Sequence, residues 1–310
     1  MKKVLVTGAN GFIGTFLLQE LSKSGVEVIA ILKDVNEPKE QIQVLPGVHI
    51  SYCDQDQISN LPDIICDRDI ETCIHLAWMG SFGELRANYL LQMTNVLNTL
   101  NTIKAIHDMG IKRFVGIGTL AEMDVLNYHF HDNAHPNPVS EYGIAKLTAH
   151  LMSKTECAKL GMEHLWCRLS NTYGVGNTTN NFVNMASRLM LSGKRAAFTS
   201  ATQPYDFVYV TDTVRAIMQV AKNGKAFSNY YLGSGNPRPL KEYITIIRDQ
   251  IDPTIKLFLG EIPFRGTPLP LEAYDTRKLY ADTGFVPQIQ FEVGISKTIQ
   301  WLKETEFSSN

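Results

Sequence analysis

The sequence is short of charge. Only 19% of its 310 residues are charged, below the roughly 25% usual for soluble domains. The 29 basic and 31 acidic side chains give a formal net charge of −2. This balance argues against a disordered acidic or basic tail protein, and it provides no electrostatic attraction for nucleic acid or an anionic membrane. We therefore expect neither among the partners.

Long apolar runs are also missing. No stretch approaches the roughly 18 consecutive apolar residues of a membrane span. Only three apolar residues, Val4 to Val6, precede Thr7, too few for a signal peptide. The five cysteines include no Cys-x-x-Cys pair, and an odd count without framework spacing is typical of reduced thiols. These features predict a cytoplasmic protein.

The first half of the chain alternates strand and helix patterns. Helical apolar spacing covers Phe12–Lys23 and Leu91–Met109. Continuous apolar strands alternating with helices predict an α/β fold with a parallel sheet covered on both faces. The predicted strands are Lys3–Thr7, Val26–Leu32, Thr72–Ala77, Arg113–Ile117 and His164–Leu169.

From about Gly174 this rhythm breaks, and Asn, Thr, Gly and Pro become frequent. We interpret the second part as a smaller α+β substrate region with helices near Leu240–Ile251 and Phe291–Lys303. The expected division is a dinucleotide-binding domain at 1–171, to which 207–232 returns, and a substrate-binding region at 172–206 and 233–310.

A glycine-rich loop follows the first strand and opens the first helix. Gly8 permits a tight turn, Gly11 lets the backbone approach a pyrophosphate, and Gly14 lets helix and strand pack closely. A plain strand-to-helix turn is the alternative, but this context favours a dinucleotide on a Rossmann-type doubly wound sheet. The expected cofactor contacts are Gly8, Asn10, Gly11, Phe12, Ile13 and Gly14.

The end of the second strand distinguishes NAD from NADP. An acid there binds the ribose 2′-hydroxyl, whereas a basic side chain accommodates a 2′-phosphate. Here Leu32 stands where the acid is expected, and Lys33 follows. We interpret Lys33 as a 2′-phosphate contact and favour NADP. NAD stays possible, with Asp34 as the acid and Lys33 as a solvated surface residue.

Tyr142 and Lys146 are four residues apart, on one face of a helix that Ser140 could cap. A tyrosine pKa near 10 is too high for ionisation at neutral pH, and a nearby ammonium favours the phenolate. Tyr142 could then exchange a proton with a substrate oxygen. Such pairs also arise on solvated helix faces, so the weight of this one comes from its position after the fourth strand.

The combined motifs resemble the extended short-chain dehydrogenases/reductases that act on nucleotide sugars, over nearly the whole chain. The opening through Val35 is similar to enzymes that reduce CDP-linked 4-keto-3,6-dideoxy sugars. Besides the glycine loop and the Tyr-x-x-x-Lys pair, the resemblance includes His75-Leu76-Ala77, Asn95, Lys112-Arg113-Phe114-Val115, Arg168-Leu169-Ser170-Asn171-Thr172-Tyr173-Gly174, Asp206-Phe207-Val208-Tyr209-Val210-Thr211-Asp212 and Leu232-Gly233-Ser234-Gly235.

The resemblance implies roles for individual residues. Thr119 matches the residue that hydrogen-bonds the reacting oxygen, Tyr142 the general acid/base, and Lys146 the residue that lowers the tyrosine pKa and holds the nicotinamide ribose. Further cofactor contacts are implied for Asp54, Leu76, Ala77, Trp78 and Asn95. The expected substrate contacts are Trp78, Asn171, Phe182, Tyr205 and Arg265.

The chain also departs from the family pattern. In the 4,6-dehydratases an Asp-Glu pair follows the catalytic threonine, whereas here Leu120 and Ala121 follow and Glu122 comes one place late. We therefore expect no dehydration. Tyr205 replaces an arginine that often grips the substrate diphosphate. Arg265 is the candidate for the surviving diphosphate contact.

A second cluster would suggest a metal site. His129, His131, Asp132 and His135 lie within seven residues. They fall in a loop that the family places over the substrate, and hydride chemistry needs no metal. We expect solvated loop residues and no metal ion.

The sequence thus predicts an NADP-dependent oxidoreductase that reduces a nucleotide-linked 4-keto-(di)deoxy sugar. A C4 epimerase with tightly bound NAD uses the same residues and is the first alternative. A non-catalytic regulator that binds NADP is more distant, because both Tyr142 and Lys146 are present. The family's usual homodimer would pair the helices at 91–109 and 142–154.

Overall fold

A seven-stranded parallel sheet forms the centre of the computed structural model, which describes residues 1–36, 40–129, 140–266 and 268–307. Its inner strands are apolar runs, and Val4, Leu5 and Val6 have no exposed surface. Such runs suit a sheet that is covered on both faces. In chain-order numbering, its strands are β1 (Lys3–Thr7), β2 (Glu27–Leu32), β3 (Val48–Tyr52), β4 (Thr72–His75), β5 (Arg113–Thr119), β6 (Glu163–Leu169) and β11 (Ser228–Leu232).

The strand order across the sheet is β3-β2-β1-β4-β5-β6-β11, and every neighbouring pair is parallel. The order reverses between β1 and β4, so a crevice opens where the carboxyl ends of these two strands diverge. The predicted Rossmann-type doubly wound α/β fold is confirmed.

Helices cover both faces of this sheet. They are α1 (Phe12–Lys23), α2 (Glu40–Gln43), α3 (Leu61–Ile64), α4 (Tyr89–Asp108), α5 (Ala121–Asp124), α6 (Ser140–Lys159), α7 (Phe182–Leu191), α8 (Val210–Asn223), α9 (Leu240–Ile251), α10 (Arg277–Thr283) and α11 (Phe291–Glu306). Shorter 3₁₀ turns lie at Gln55–Asn60, Gly83–Ala87 and Leu271–Tyr274, and a π turn lies at Val125–His129. No helix among the described residues is long and apolar enough to cross a bilayer.

Two apolar cores lie on opposite faces of the sheet. On one face, Leu17 and Leu21 of α1 join Ile217 of α8. On the other, Ile103 of α4 and Ala149 of α6 belong to one buried cluster. Helix α1, which follows the predicted cofactor loop, therefore packs on one face of the sheet, and α6, which carries the predicted catalytic pair, packs on the other.

A third core supports the smaller α+β region. It is built around stacked and edge-on rings, including Tyr173, Phe207, Tyr243 and Phe291. Phe12 of α1 packs against it, so this region is continuous with the sheet domain. Its strands are paired as β7 (Asn171–Tyr173) with β10 (Phe207–Tyr209), β8 (Ala196–Phe198) with β13 (Leu257–Leu259), and β9 (Pro204–Tyr205) with β12 (Arg238–Pro239).

Two strands of the main sheet escaped the sequence analysis, β3 and β11, and both are edge strands. No residue of β3 is fully buried, so it lacks the continuous apolar signal of the inner strands. The segment 207–209 pairs with β7 outside the main sheet, whereas α8 and β11 lie on it. The chain therefore returns to the main sheet through α8 and β11.

Candidate active site

The predicted functional residues meet at one edge of the sheet. Parallel strands present their carboxyl ends on the same side, and the segments that follow them converge there. Residues at these positions are Gly8 after β1, Lys33 after β2, Asp54 after β3, Leu76 and Ala77 after β4, Thr119 at the end of β5, and Asn171 after β6.

The glycine loop is shaped for close backbone approach. Gly8 has φ +68°, and a Cβ there would lie 2.7 Å from the Ala77 amide nitrogen. A Cβ at Gly14 would lie 2.3 Å from the Gly8 carbonyl oxygen. α1 begins immediately after Gly11, and no side chain among the described residues caps its first turn. Its first N–H groups therefore suit a pyrophosphate, which the half-buried Asn10, Phe12 and Ile13 would border.

A lysine and an aspartate meet beyond β2 and β3. Lys33 Nζ lies 3.5 Å from Asp54 Oδ2, and both side chains are partly exposed. Asp54 also accepts a hydrogen bond from the Asp56 amide, which starts the following 3₁₀ turn (3.3 Å). Leu32 is buried and cannot contact a ribose. Lys33, the basic side chain predicted to distinguish NADP from NAD, thus forms an ion pair with Asp54.

The loop after β4 is hydrogen-bonded to two buried side-chain amides of α4, those of Gln92 and Asn95. The Trp78 indole N–H donates to Gln92 Oε1 (2.9 Å). Asn95 Nδ2 donates to the Met79 carbonyl (2.8 Å), and the Met79 amide donates to Asn95 Oδ1 (3.0 Å). Asn95 is 2% exposed, so the structure places it beneath the loop that carries Leu76, Ala77 and Trp78.

The three predicted catalytic residues come together where β5 ends against α6. The Thr119 side chain interacts with the Tyr142 hydroxyl and acts to lower its pKa. Lys146 Nζ donates to the Ile117 carbonyl (2.8 Å) and lies 3.7 Å from the centre of the Trp78 ring. The Trp78 ring meets Tyr142 edge-on, with centroids 6.3 Å apart. Residues 78, 119, 142 and 146 therefore form one cluster.

Burial controls the protonation of this cluster. It lowers the pKa of Lys146 to about 7, against the opposing charge of Glu122. Burial also raises the pKa of Tyr142, although the Arg86 guanidinium and the Thr119 side chain act in the opposite direction. The sequence analysis expected Lys146 to lower the tyrosine pKa. Arg86 is a further cation with this effect, and its guanidinium lies 4.6 Å from the centre of the Tyr142 ring.

Glu122 is a fully buried carboxylate behind Thr119. Glu122 Oε1 accepts from the Thr119 amide (2.9 Å) and the Trp166 indole (2.9 Å), and Glu122 Oε2 accepts from Arg168 Nε (2.9 Å). His150 Nδ1 lies 3.4 Å from Oε2. Burial would raise the pKa of Glu122, but these hydrogen bonds and the charge of Arg168 outweigh it. Glu122 is therefore an ionised structural group that fastens the end of β5 to β6 and α6.

Asp124 is a second carboxylate that the sequence analysis missed. Burial raises its pKa to about 6, and the charge of Arg86 opposes this shift. It also acts electrostatically on Tyr205, as does Arg86. Neither Arg86 nor Asp124 belongs to a motif with recognisable spacing, so only the packing of their elements identifies them.

A cavity of ≈ 980 Å³ is lined by two of the predicted substrate residues, Phe182 and Tyr205. Their rings are 6.3 Å apart. Other residues that line it are Asn180, Met185, Ala186, Arg188, Leu189, Ser192, Lys194, Arg195, Ala197, Phe198, Thr199, Gln203, Leu240, Ile244, Ile262, Phe264, Glu306 and Phe307. Aromatic walls with charged residues around them suit a ligand that is part ring and part anion.

The remaining predicted residues lie apart from the cluster. Asn171 Nδ2 donates to the Asp206 carbonyl (3.0 Å), so its amide is used in part within the fold. Arg265 is exposed, in a loop whose Ile262 and Phe264 line the cavity. Three residues of the considered metal cluster, His131, Asp132 and His135, lie outside the described residues, as does the side chain of His129.

Comparisons with known proteins agree with this geometry. The model of the NAD dependent epimerase/dehydratase family matches residues 4–233. The chain is 26% identical over 314 residues to a putative UDP-glucose 4-epimerase of Methanocaldococcus jannaschii, covering 97% of this chain and 98% of that protein. It is 25% identical over 312 residues to CDP-abequose synthase of Salmonella typhimurium, covering 96% and 98%. Among solved structures, UDP-glucose 4-epimerase from Thermotoga maritima with UDP-glucose has a TM-score of 0.80 at 20% identity, covering 98% and 99%. This last likeness shows the fold.

Removal of the Lys146 ammonium should stabilise the protein at acidic pH. Burial depresses its pKa from 10.5 to about 7, so between these values the folded state binds fewer protons than the unfolded chain. Stability of the wild type should therefore rise with pH across this window, and the cost of the buried charge should be complete below pH 7. We expect Lys146→Met to raise the free energy of unfolding at pH 6, with a gain that shrinks as the pH increases toward 10. Urea denaturation at several pH values measures this.

Lys104→Met, at an exposed position of α4, is the matched control and should show no such pH dependence. An equal effect of Lys146→Met at pH 6 and pH 9 would contradict a depressed lysine pKa.

Proposed function

The chain belongs to the NAD dependent epimerase/dehydratase family, and within it we propose an NADP-dependent reductase of a nucleotide-linked 4-keto-(di)deoxy sugar. It is an enzyme of the nucleotide-sugar epimerase, dehydratase and reductase type. The observation that carries the finer proposal is the place of Tyr142 beside Thr119, Trp78 and Lys146 at the carboxyl end of β5.

In this reaction Tyr142 is the proton donor. Because burial raises its pKa, its hydroxyl is protonated at neutral pH and can donate to a ketone oxygen that becomes an alkoxide. The Thr119 hydroxyl positions the same oxygen. Lys146 is held by the Ile117 carbonyl and the Trp78 ring, and in its protonated form it would supply positive charge beside the reacting group.

The chain offers a site for the dinucleotide along the crevice. The α1 amides and the glycine loop would hold the pyrophosphate, and Leu76, Ala77 and Trp78 would border the nicotinamide half, above Asn95. At the adenosine end, Lys33 would contact a 2′-phosphate beside Asp54. A bound nicotinamide supplies the hydride that the ketone carbon receives.

The substrate is proposed to place its nucleoside in the aromatic cavity and its sugar at Tyr142. Phe182 and Tyr205 would stack or pack against the nucleoside. Asn171 and Arg265 remain candidates for weaker contacts to the sugar diphosphate. The likeness to CDP-abequose synthase supports a deoxysugar ketone as substrate. Dehydration is disfavoured because Leu120 and Ala121 follow Thr119 and the Glu122 carboxylate is occupied by Arg168 and Trp166.

A C4 epimerase is the second candidate. The relative from Methanocaldococcus jannaschii favours it, since its name is that of a putative UDP-glucose 4-epimerase. An epimerase oxidises and reduces the same sugar carbon, so it retains its cofactor through turnover. NAD that copurifies with the protein, and interconversion of C4 epimers without net NADPH consumption, would favour this candidate.

The reductase is tested by the loss of NADPH absorbance with CDP-, dTDP-, GDP- and UDP-linked 4-keto-6-deoxy sugars. We expect rapid oxidation with one of them. Because Tyr142 supplies the proton, Tyr142→Phe should lower kcat about 100- to 10,000-fold and leave the Kd for NADPH unchanged.

Tyr280→Phe is a matched control, because Tyr280 is an exposed tyrosine of α10, and it should retain wild-type kcat. If no sugar in the panel is reduced, the reductase proposal fails and the epimerase takes its place. Full activity of Tyr142→Phe would argue against general acid catalysis by this residue.

Lys33 should decide the preference between the two dinucleotides. Replacing Lys33 by Glu places a second carboxylate beside Asp54 and removes the cation for a 2′-phosphate. We expect the Kd for NADPH to rise about tenfold or more, because a charge-assisted contact is lost, and the Kd for NADH to change little. Fluorescence titration with both cofactors measures this, with Lys23→Glu, an exposed residue of α1, as the control. A wild type that prefers NADH would contradict the NADP assignment alone.

We also propose a homodimer in the cytoplasm. The adjacent helices α4 and α6 expose several apolar side chains, between 41% and 65% accessible: Tyr89, Leu90, Met93, Leu97, Ile144, Leu151 and Met152. Exposed apolar side chains grouped on two adjacent helices are typical of an interface, and a second copy would bury them in a four-helix contact. The five cysteines are all free thiols, as expected for a reducing compartment.

The dimer is tested by Leu97→Glu, which introduces a charge at the centre of this face. We expect the sedimentation coefficient to fall from that of a dimer to that of a monomer. Val44→Glu, at an exposed apolar position elsewhere, should leave it unchanged. A wild type that sediments as a monomer at all concentrations would overturn the proposal.

A further inference from the structure

Arg86 lies beside the catalytic cluster and acts on a residue of the aromatic cavity. Its guanidinium is 4.6 Å from the centre of the Tyr142 ring. Its charge also acts on Tyr205, which lines the cavity. The charge of one cation therefore acts on the residue that would contact the sugar and on a residue that would contact the nucleoside.

The backbone that carries Arg86 is held in place. Gln92 Nε2 donates to the carbonyls of Gly80 (2.9 Å) and Leu85 (3.0 Å), and Gln92 Oε1 accepts from the Trp78 indole. Gln92 is 1% exposed. The turn at Gly83–Ala87 is thus tied to α4, and the backbone position from which Arg86 extends is fixed by these contacts.

One N–H group of the Arg86 guanidinium is available to a ligand. Arg86 Nε is buried and has no hydrogen-bond partner among the described residues. The charge of Asp124 faces it and balances it in part. A buried guanidinium N–H without a partner is unfavourable, and an anionic ligand would satisfy it.

We propose that Arg86 binds the diphosphate of the substrate, an inference that rests on the proposed function. With its sugar at Tyr142 and its nucleoside against Phe182 and Tyr205, a nucleotide sugar must pass its diphosphate between them. Position 205, where an arginine is often found in the resembling family, is a tyrosine here. Arg86 supplies the missing cation from the turn before α4, whereas Arg265 is exposed on the loop beside the cavity.

The geometry also explains why arginine suits this place. A guanidinium can contact two phosphate oxygens at once while its planar face rests on an aromatic ring. In this position it would orient the diphosphate relative to the Tyr142 hydroxyl. Arg86 is therefore a binding residue and takes no part in proton or hydride transfer.

Binding of free nucleoside diphosphates tests this without any turnover. Isothermal titration of the NADP-loaded protein with CDP, dTDP, GDP and UDP should identify the diphosphate that the wild type binds most tightly. Arg86→Gln should raise the Kd for that diphosphate about 10- to 100-fold, as expected for loss of a charge-assisted contact, with the Kd for NADPH unchanged. Arg86→Met, which keeps an aliphatic stem against Tyr142, should raise the same Kd by a similar factor. Arg68→Gln, at an exposed arginine before β4, should bind as the wild type does.

The outcomes separate the two proposals. If the wild type binds none of the four diphosphates, the nucleotide-sugar assignment fails and this inference fails with it. If the wild type binds one of them and both Arg86 variants bind it equally well, only the role of Arg86 is overturned. Should one variant fold poorly, as judged by its melting temperature, the other decides.

Discussion

The buried charge of Glu122 is the constraint on which the catalytic face depends. A carboxylate without exposed surface is tolerated only when its oxygens are fully hydrogen-bonded. Here the partners are the Thr119 amide, Trp166 and Arg168, with His150 nearby. These residues come from the ends of two strands and from α6. The same contacts that satisfy the carboxylate therefore bring the strand end that carries Thr119 against the helix that carries Tyr142.

Desolvation then sets the chemistry of the cluster. The low dielectric that makes burial of the Glu122 carboxylate unfavourable also raises the pKa of Tyr142 and lowers that of Lys146 to about 7. A protonated phenol beside a lysine with low proton affinity is suited to donate a proton to a ketone. The opposing influence of Arg86 shows that charges outside the recognised motifs adjust this balance.

Reductases and epimerases of this family use the same catalytic residues. We therefore expect the choice between the two reactions to depend on the residues that hold the cofactor and the substrate. A reductase exchanges its cofactor at every turnover, whereas an epimerase retains it. In the proposed function, the half-exposed ion pair of Lys33 with Asp54 lies at the adenosine end of the cofactor site. The same proposal assigns selection of the substrate to the aromatic cavity that contains Phe182 and Tyr205.

The parallel sheet, the bounds of α1, the glycine loop and the grouping of Thr119, Tyr142 and Lys146 could all be predicted from the amino-acid sequence. These follow from apolar periodicity and from fixed spacings along a few neighbouring residues, which a single chain displays directly. The edge strands β3 and β11 were missed because edge positions do not require a continuous apolar run. The places of Arg86, Glu122 and Asp124 emerge only from the packing of the folded chain. Their partners lie on elements distant in the chain, and such contacts exist only after those elements have packed together.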